Sequence, residues 1–311
     1  MTPSSLLFAK VATPRPSWNV VHDLREILHF PFMQHAFVAG TVAALVAGVL
    51  SYFVVLRQSS FAAHALSEMG FAGASGGVAY GFGAVPGLLV LSLGGAALIG
   101  AFGKRLRGRD AAIGMVLAFS LGLGSYFITR YRSESASGPF GLLFGEILGI
   151  SVHDVWLVTI SGMLTLAAVA VIYRPLLFAS LDEEVAEARG VPVRLLSVGF
   201  FMLLAVAVTA AVQVVGVLLI FSLLVAPGAI ADRVCRTAGR AIGLCVVLSV
   251  LFVWAGLCVT YYSNYPVGFL ITSFAFSGYV IARLLPAVGQ RRHRRALEPP
   301  STGSRDVAGR A

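Results

Sequence analysis

The chain has 311 residues, of which 58% are hydrophobic and only 12% are charged. Soluble globular domains carry about 25% charged residues, so this composition excludes a soluble protein and predicts one that crosses a membrane several times. The formal net charge of +9 comes from basic residues in short segments between apolar runs, which is typical of cytoplasmic loops and does not indicate a nucleic-acid partner.

The polarity of the chain divides it into three parts. Residues 1–34 have mixed polarity and lack the continuous apolar core of a signal peptide. We interpret them as a flexible lead followed by a short surface helix near 24–33. Residues 35–286 are the predicted transmembrane domain. Residues 287–311 are basic and then rich in Pro, Ser and Gly, which predicts a disordered cytoplasmic tail.

Long uncharged runs predict the membrane spans. A helix rises about 1.5 Å per residue, so roughly 20 apolar residues cross a bilayer core about 30 Å thick. The sequence therefore predicts an all-α fold, a polytopic membrane bundle of eight or nine transmembrane helices. The predicted spans are 36–56, 61–81, 86–103, 111–129 and 156–173, with two more within 195–230 and two within 241–282.

The second predicted span is unusual because it carries two ionisable residues, His64 and Glu68. Four residues apart on a helix, their side chains share one face. Ionisable groups at membrane depth are costly and normally face a bundle interior or a water-filled path, so they indicate function. The alternative is a polar pair that reaches the lipid headgroups. Gly73 and Gly77 in the same span have the spacing of a close helix–helix contact.

A second informative stretch is the charged segment 174–194, which contains Ser-Leu-Asp-Glu-Glu-Val-Ala-Glu-Ala-Arg-Gly over 180–190. Its acidic and apolar residues predict an amphipathic helix outside the membrane, over 181–189, ended by Gly190. A solvated connecting helix is one interpretation. Two features favour a docking helix instead: it is acidic where cytoplasmic loops are normally basic, and a short amphipathic helix suits a groove on a soluble partner.

Six segments in colinear order form a recognisable set. They are VVLRQSSFAAHALSEM (54–69), RDAAIGMVLAF (109–119), LLFGEILGIS (142–151), LFASLDEEVAEARGV (177–191), VGVLLIFSLLVAPGAIAD (215–232) and the Tyr-Tyr…Pro…Gly turn (261–268). Together they resemble the metal ABC-3 permeases, the membrane subunits of ABC-type importers for zinc, manganese and iron. The resemblance covers about residues 30–286.

This resemblance implies a permease of the cell membrane that carries a divalent metal, zinc or manganese, as its substrate and holds no cofactor. It implies three partners: a cytoplasmic ATP-binding subunit, an extracytoplasmic metal-binding protein and a second copy of the permease. The chain is then a transport subunit and not an enzyme. The sequence agrees, since it contains no Walker-type G-x-x-x-x-G-K-[ST] stretch for ATP hydrolysis.

The resemblance also assigns residues. The family places Asp and His four apart in the second span, whereas here those positions hold His64 and Glu68; one nitrogen and one carboxylate ligand still face the same way. The segment 174–194 becomes the coupling helix to the ATPase. Its predicted contact residues are Leu181, Glu184, Glu187, Ala188, Arg189 and Gly190. Glu146, in the predicted outer segment, is a candidate contact for a metal that leaves its binding protein; the alternative is an ordinary exposed acid.

Two other functions can be weighed against the sequence. A secondary active cation transporter would use His64 and Glu68 as a relay and would need no partner. An intramembrane enzyme would need a constellation such as H-E-x-x-H or paired intramembrane aspartates, and the spans contain neither.

Overall fold

The computed structural model describes residues 26–102, 109–130, 149–263 and 265–284. Within these ranges the chain forms ten α-helices and no strand. In chain order they are α1 (Pro31–Leu56), α2 (Ser60–Ala79), α3 (Ala84–Phe102), α4 (Arg109–Arg130), α5 (Val152–Leu181), α6 (Glu183–Ala188), α7 (Val193–Val215), α8 (Val217–Val234), α9 (Ala238–Tyr262) and α10 (Val267–Leu284).

Seven of the described helices are long and apolar enough to cross a membrane: α1, α3, α4, α5, α7, α9 and α10. The predicted all-helical membrane bundle is confirmed, whereas the count of eight or nine spans stays a prediction. The division into lead, transmembrane domain and tail also stays a prediction, because 1–25 and 285–311 lie outside the described residues.

The bundle is organised around α1, which packs against α5, α7, α8 and α9. Its apolar stretch is largely buried, as is that of α7, whereas α4 and α10 expose most of their surface. Ser51 of α1 fixes one of these contacts, since its Oγ accepts a hydrogen bond of 2.8 Å from the backbone N–H of Gly228 in α8. The helix α2 packs mainly against α3 and α4 and also contacts α7 and α8.

Glycines bring α2 and α3 into backbone contact. A Cβ atom added to Gly73 would lie 2.3 Å from the carbonyl oxygen of Gly87, and one added to Gly77 would lie 2.2 Å from that of Gly83. Backbone atoms of a packed helix cannot yield by that much, so no larger residue fits. The predicted close contact through Gly73 and Gly77 is confirmed, and it seats α2 deep in the bundle.

The predicted fifth span, 156–173, is too short. The helix α5 begins at Val152 because Ser151 forms a capping box: Ser151 Oγ accepts from the backbone N–H of Asp154, and Asp154 Oδ2 accepts from that of Ser151, both at 3.2 Å. It then continues past the exposed Arg174 and through Pro175 to Leu181. A charged residue therefore lies within this helix and does not end it.

The predicted amphipathic helix over 181–189 is correspondingly shorter, because α6 covers only Glu183–Ala188. Leu181 is the last residue of α5, and Asp182 separates the two helices. The predicted break within 195–230 is confirmed at Gly216, whose φ of 85° lies in the region that favours glycine.

Candidate functional site

His64 and Glu68 lie on one face of α2, as their spacing predicts. The side chain of Glu68 is 4% exposed, and His64 is half-buried. The imidazole ring packs against Phe221 of α8, with ring centroids 4.6 Å apart. The side chains are buried because α2 itself is enclosed by α3, α4, α7 and α8.

Both side chains keep unused ligand atoms in this buried position. His64 Nδ1 and Glu68 Oε2 are inaccessible to water and have no hydrogen-bond partner. A buried carboxylate without a partner is costly in its ionised form. Imidazole nitrogen and carboxylate oxygen are both common ligands of divalent metals, so this pair is the candidate functional site of the bundle.

Within the described part of the chain, His64 and Glu68 are not joined by a third side chain of a metal-ligating type. Among the described residues, no three His, Cys, Asp or Glu side chains are grouped closely enough to hold a metal ion. His153 and Asp154 do approach to 4.0 Å, but they are exposed at the start of α5. Glu146, the predicted contact for arriving metal, lies outside the described residues.

The segment around α6 is held rigidly. Asp182 Oδ1 accepts a hydrogen bond of 3.0 Å from the backbone N–H of Val185, which caps the start of the helix. At the other end Gly190 adopts a φ of 82°, and the N–H of Val191 donates to the carbonyl of Ala186 at 3.0 Å. This is a Schellman ending, so the glycine that the sequence predicts as a stop does end the helix.

The two faces of α6 differ. Ala186 is fully buried and packs with Ala179 and Val193 against the bundle. Leu181 and Val185 are instead 67% and 43% exposed. The other predicted contact residues are exposed as well: Glu184, Glu187, Ala188, Arg189 and Gly190. The exposed side of α6 therefore combines apolar and charged residues, whereas Ala186 lies on the buried side.

Sequence reasoning missed one residue of this region, Arg57. It follows α1 directly and is only 2% exposed. Its Nη1 donates to Ser180 Oγ at 3.3 Å, and its Nη2 donates to Ser197 Oγ at 3.2 Å. The guanidinium carbon also lies 5.3 Å from the ring centroid of Phe200. In the sequence Arg57 only marks the end of an apolar run, and no local pattern distinguishes it from an arginine that faces water.

The structure thus combines a helical bundle, seven of whose described helices are long and apolar enough to cross a membrane, with a buried polar pair and a short ordered helix. Residues 29–285 match the ABC 3 transport family. The chain belongs to this family, and it is therefore a multi-pass membrane permease of the ABC type.

Individual proteins show the same similarity. The manganese transport system membrane protein MntC of Halalkalibacterium halodurans is 28% identical over 77% of this chain and 82% of its own length. The manganese import system permease protein ScaB of Streptococcus parasanguinis is 29% identical over 86% of this chain and 95% of its own. Among solved structures, PsaBC from Streptococcus pneumoniae in complex with Fab superposes with a TM-score of 0.78 at 28% identity, covering 89% of this chain and 99% of that one.

Proposed function

We propose that this chain is the permease subunit of an ATP-driven importer of divalent metal ions, and that manganese is its principal cargo. The observation that carries the proposal is the pair of His64 and Glu68, whose Nδ1 and Oε2 atoms are buried without a hydrogen-bond partner in a chain that belongs to the ABC 3 transport family. The names of two relatives, both manganese transport proteins, favour manganese over zinc.

The ligand chemistry supports a hard or borderline metal. An imidazole nitrogen suits iron and zinc, and a carboxylate oxygen suits manganese. The helix α2 carries no cysteine, so the thiolate that would favour a soft metal is missing from it. Two ligands from each of two permease copies would give four ligands, which is the coordination number that zinc prefers. A second copy arranged by two-fold symmetry is part of the proposal.

The energy source is a separate ATP-binding subunit in this proposal. The outward surface of α6, which includes Val185 and Ala188, is its docking surface. A short helix that presents apolar residues and fits a groove is a common recognition mode. An extracytoplasmic metal-binding protein delivers the ion on the opposite side, where Glu146 would receive it.

Secondary active cation transport is the second candidate, since a buried imidazole and carboxylate would also serve a proton or cation relay. It gives no role to the rigid, outward-facing α6. The two candidates differ in their need for ATP.

The metal content of cells with and without this chain tests the proposed cargo. We expect cells that lack the chain, grown with limiting metal, to hold less manganese, and we expect zinc and iron to change less. Manganese, zinc and iron are measured together by elemental analysis. A deficit in zinc alone would mean that the cargo is zinc and not manganese. Unchanged contents of all three metals would contradict the proposal.

A further inference from the structure

We propose that Arg57 is a positioning residue that ties the docking region to the helix that carries His64 and Glu68. The docking region is defined here as the cytoplasmic elbow, residues 176–200, which comprises the end of α5, α6 and the start of α7. This inference rests on the proposed function, because it supplies the connection between ATPase docking and the metal site.

The contacts of Arg57 span both sides of the elbow. Ser180 lies in the last turn of α5, and Ser197 lies in the second turn of α7, so the two hydroxyls flank α6. The O–H of Ser180 donates to the carbonyl of Leu176, which leaves its oxygen to accept from Arg57. The ring of Phe200 adds a third contact from α7. A single guanidinium therefore holds both arms of the elbow against the end of α1.

The burial of Arg57 shows that these contacts hold the side chain. An arginine that ends a membrane helix normally extends its charge into the headgroup region or water. Arg57 is 2% exposed and ranks among the largest fully buried side chains of the described residues. A buried charge is tolerated only when it is hydrogen-bonded. Only the planar guanidinium reaches two hydroxyls and an aromatic face at once.

The connection from Arg57 to α2 is short and ordered. The backbone N–H of Arg57 bonds to Phe53, and that of Ser59 bonds to Val54, at 2.9 and 2.8 Å. Ser59 Oγ also donates to the carbonyl of Arg57 at 3.1 Å. Gln58 between them adopts a φ of 52°, which is uncommon for a residue other than glycine.

The turn at Gln58 couples the position of Arg57 to the position of α2. The helix α2 begins at Ser60, three residues after Arg57, so a shift of the elbow that Arg57 follows also moves the start of α2. His64 lies in the second turn of that helix and Glu68 one turn further on. Arg57 thus links ATPase docking to the metal ligands through hydrogen bonds and one fixed turn.

The test measures coupling in vesicles that contain the permease and its ATP-binding subunit. The readout is the number of ATP molecules hydrolysed per metal ion imported, which a purely structural role would not change. The double variant Ser180→Ala/Ser197→Ala keeps Arg57 and removes both hydroxyl contacts. Coupling between sites is typically worth 5–150-fold, so we expect the ratio to rise by about fivefold or more. Arg57→Lys keeps the positive charge but lacks the two guanidinium nitrogens that bond to the two hydroxyls. The number of ATP molecules hydrolysed per metal ion should therefore also rise.

Ser51→Ala is the matched control. It removes a buried hydroxyl of α1 that accepts a hydrogen bond from Gly228 of α8 and lies outside the elbow. The number of ATP molecules hydrolysed per metal ion should equal that of the unaltered protein. If the double variant does not assemble, Arg57→Lys decides the question. A ratio that stays at the level of Ser51→Ala overturns the role of Arg57. Absence of ATP-dependent uptake by the unaltered protein would instead overturn the proposed function.

Discussion

Replacing Glu68 with glutamine is expected to abolish metal uptake while the protein still inserts and assembles. Glutamine keeps the size and polarity of glutamate but loses the negative charge that, in the proposed function, attracts the metal ion. Changes in the outer shell of a metal site already cost 10–100-fold, so loss of a direct ligand should reduce uptake by about 100-fold or more. His64→Ala should have a similar effect, although it also opens space beside Phe221.

Uptake of radiolabelled manganese into cells measures this effect, with membrane insertion checked on the same samples. Ser92→Ala serves as the control. Ser92 is fully buried in α3, and its hydroxyl also lacks a hydrogen-bond partner, but it lies near Gly70 of α2 and carries no charge. Its variant should transport normally. Normal uptake by Glu68→Gln would remove the carboxylate from the mechanism and leave the pair as packing.

Replacing Ala188 with arginine is expected to separate the permease from its ATPase. Ala188 is exposed on α6, and exposed substitutions usually change stability by no more than about 0.5 kcal/mol. In a docked complex the new charge would be buried without a partner, which costs about 2–5 kcal/mol. Since 1.4 kcal/mol is tenfold in affinity, docking should weaken by at least about 30-fold, and ATP-driven uptake should fall with it.

Co-purification of the ATP-binding subunit with the permease measures docking directly. Thr237→Arg is the matched control, because Thr237 is exposed in the turn before α9 and its side chain makes no capping bond. Position 186 would be a poor choice for this experiment, since Ala186 is fully buried and a larger side chain there would strain α6 itself. Normal docking and uptake by Ala188→Arg would reduce α6 to a connecting segment.

Local patterns predicted the features that depend on local geometry. The spacing of His64 and Glu68 fixes their common face through the helical period alone, and the spacing of Gly73 and Gly77 fixes the close contact with α3 in the same way. Gly216 breaks the long apolar run because its backbone conformation favours glycine. The ends of α5 do not follow from the charge pattern, since the helix continues past Arg174 to Leu181 and the Ser151 capping box sets its start.

Features that depend on distant residues could not be predicted from these patterns. The burial of Arg57 depends on Ser180 and Ser197, which are 123 and 140 residues away in the sequence. The difference between Ala186 and Ala188 likewise depends on how α6 packs against α5 and α7. Both alanines are equally apolar, and a six-residue helix is too short for its periodicity to identify the buried face.

The proposed function requires that metal crosses the membrane through this chain and that ATP hydrolysis on the partner subunit drives it. The direct measurement uses vesicles that contain either the chain alone or the chain with its ATP-binding subunit, with manganese and its delivery protein on the extracytoplasmic side. We expect manganese to accumulate only when the ATP-binding subunit and ATP are both present, and not with Glu68→Gln. Accumulation driven by an ion gradient in vesicles that contain the chain alone would contradict the account and identify a secondary transporter.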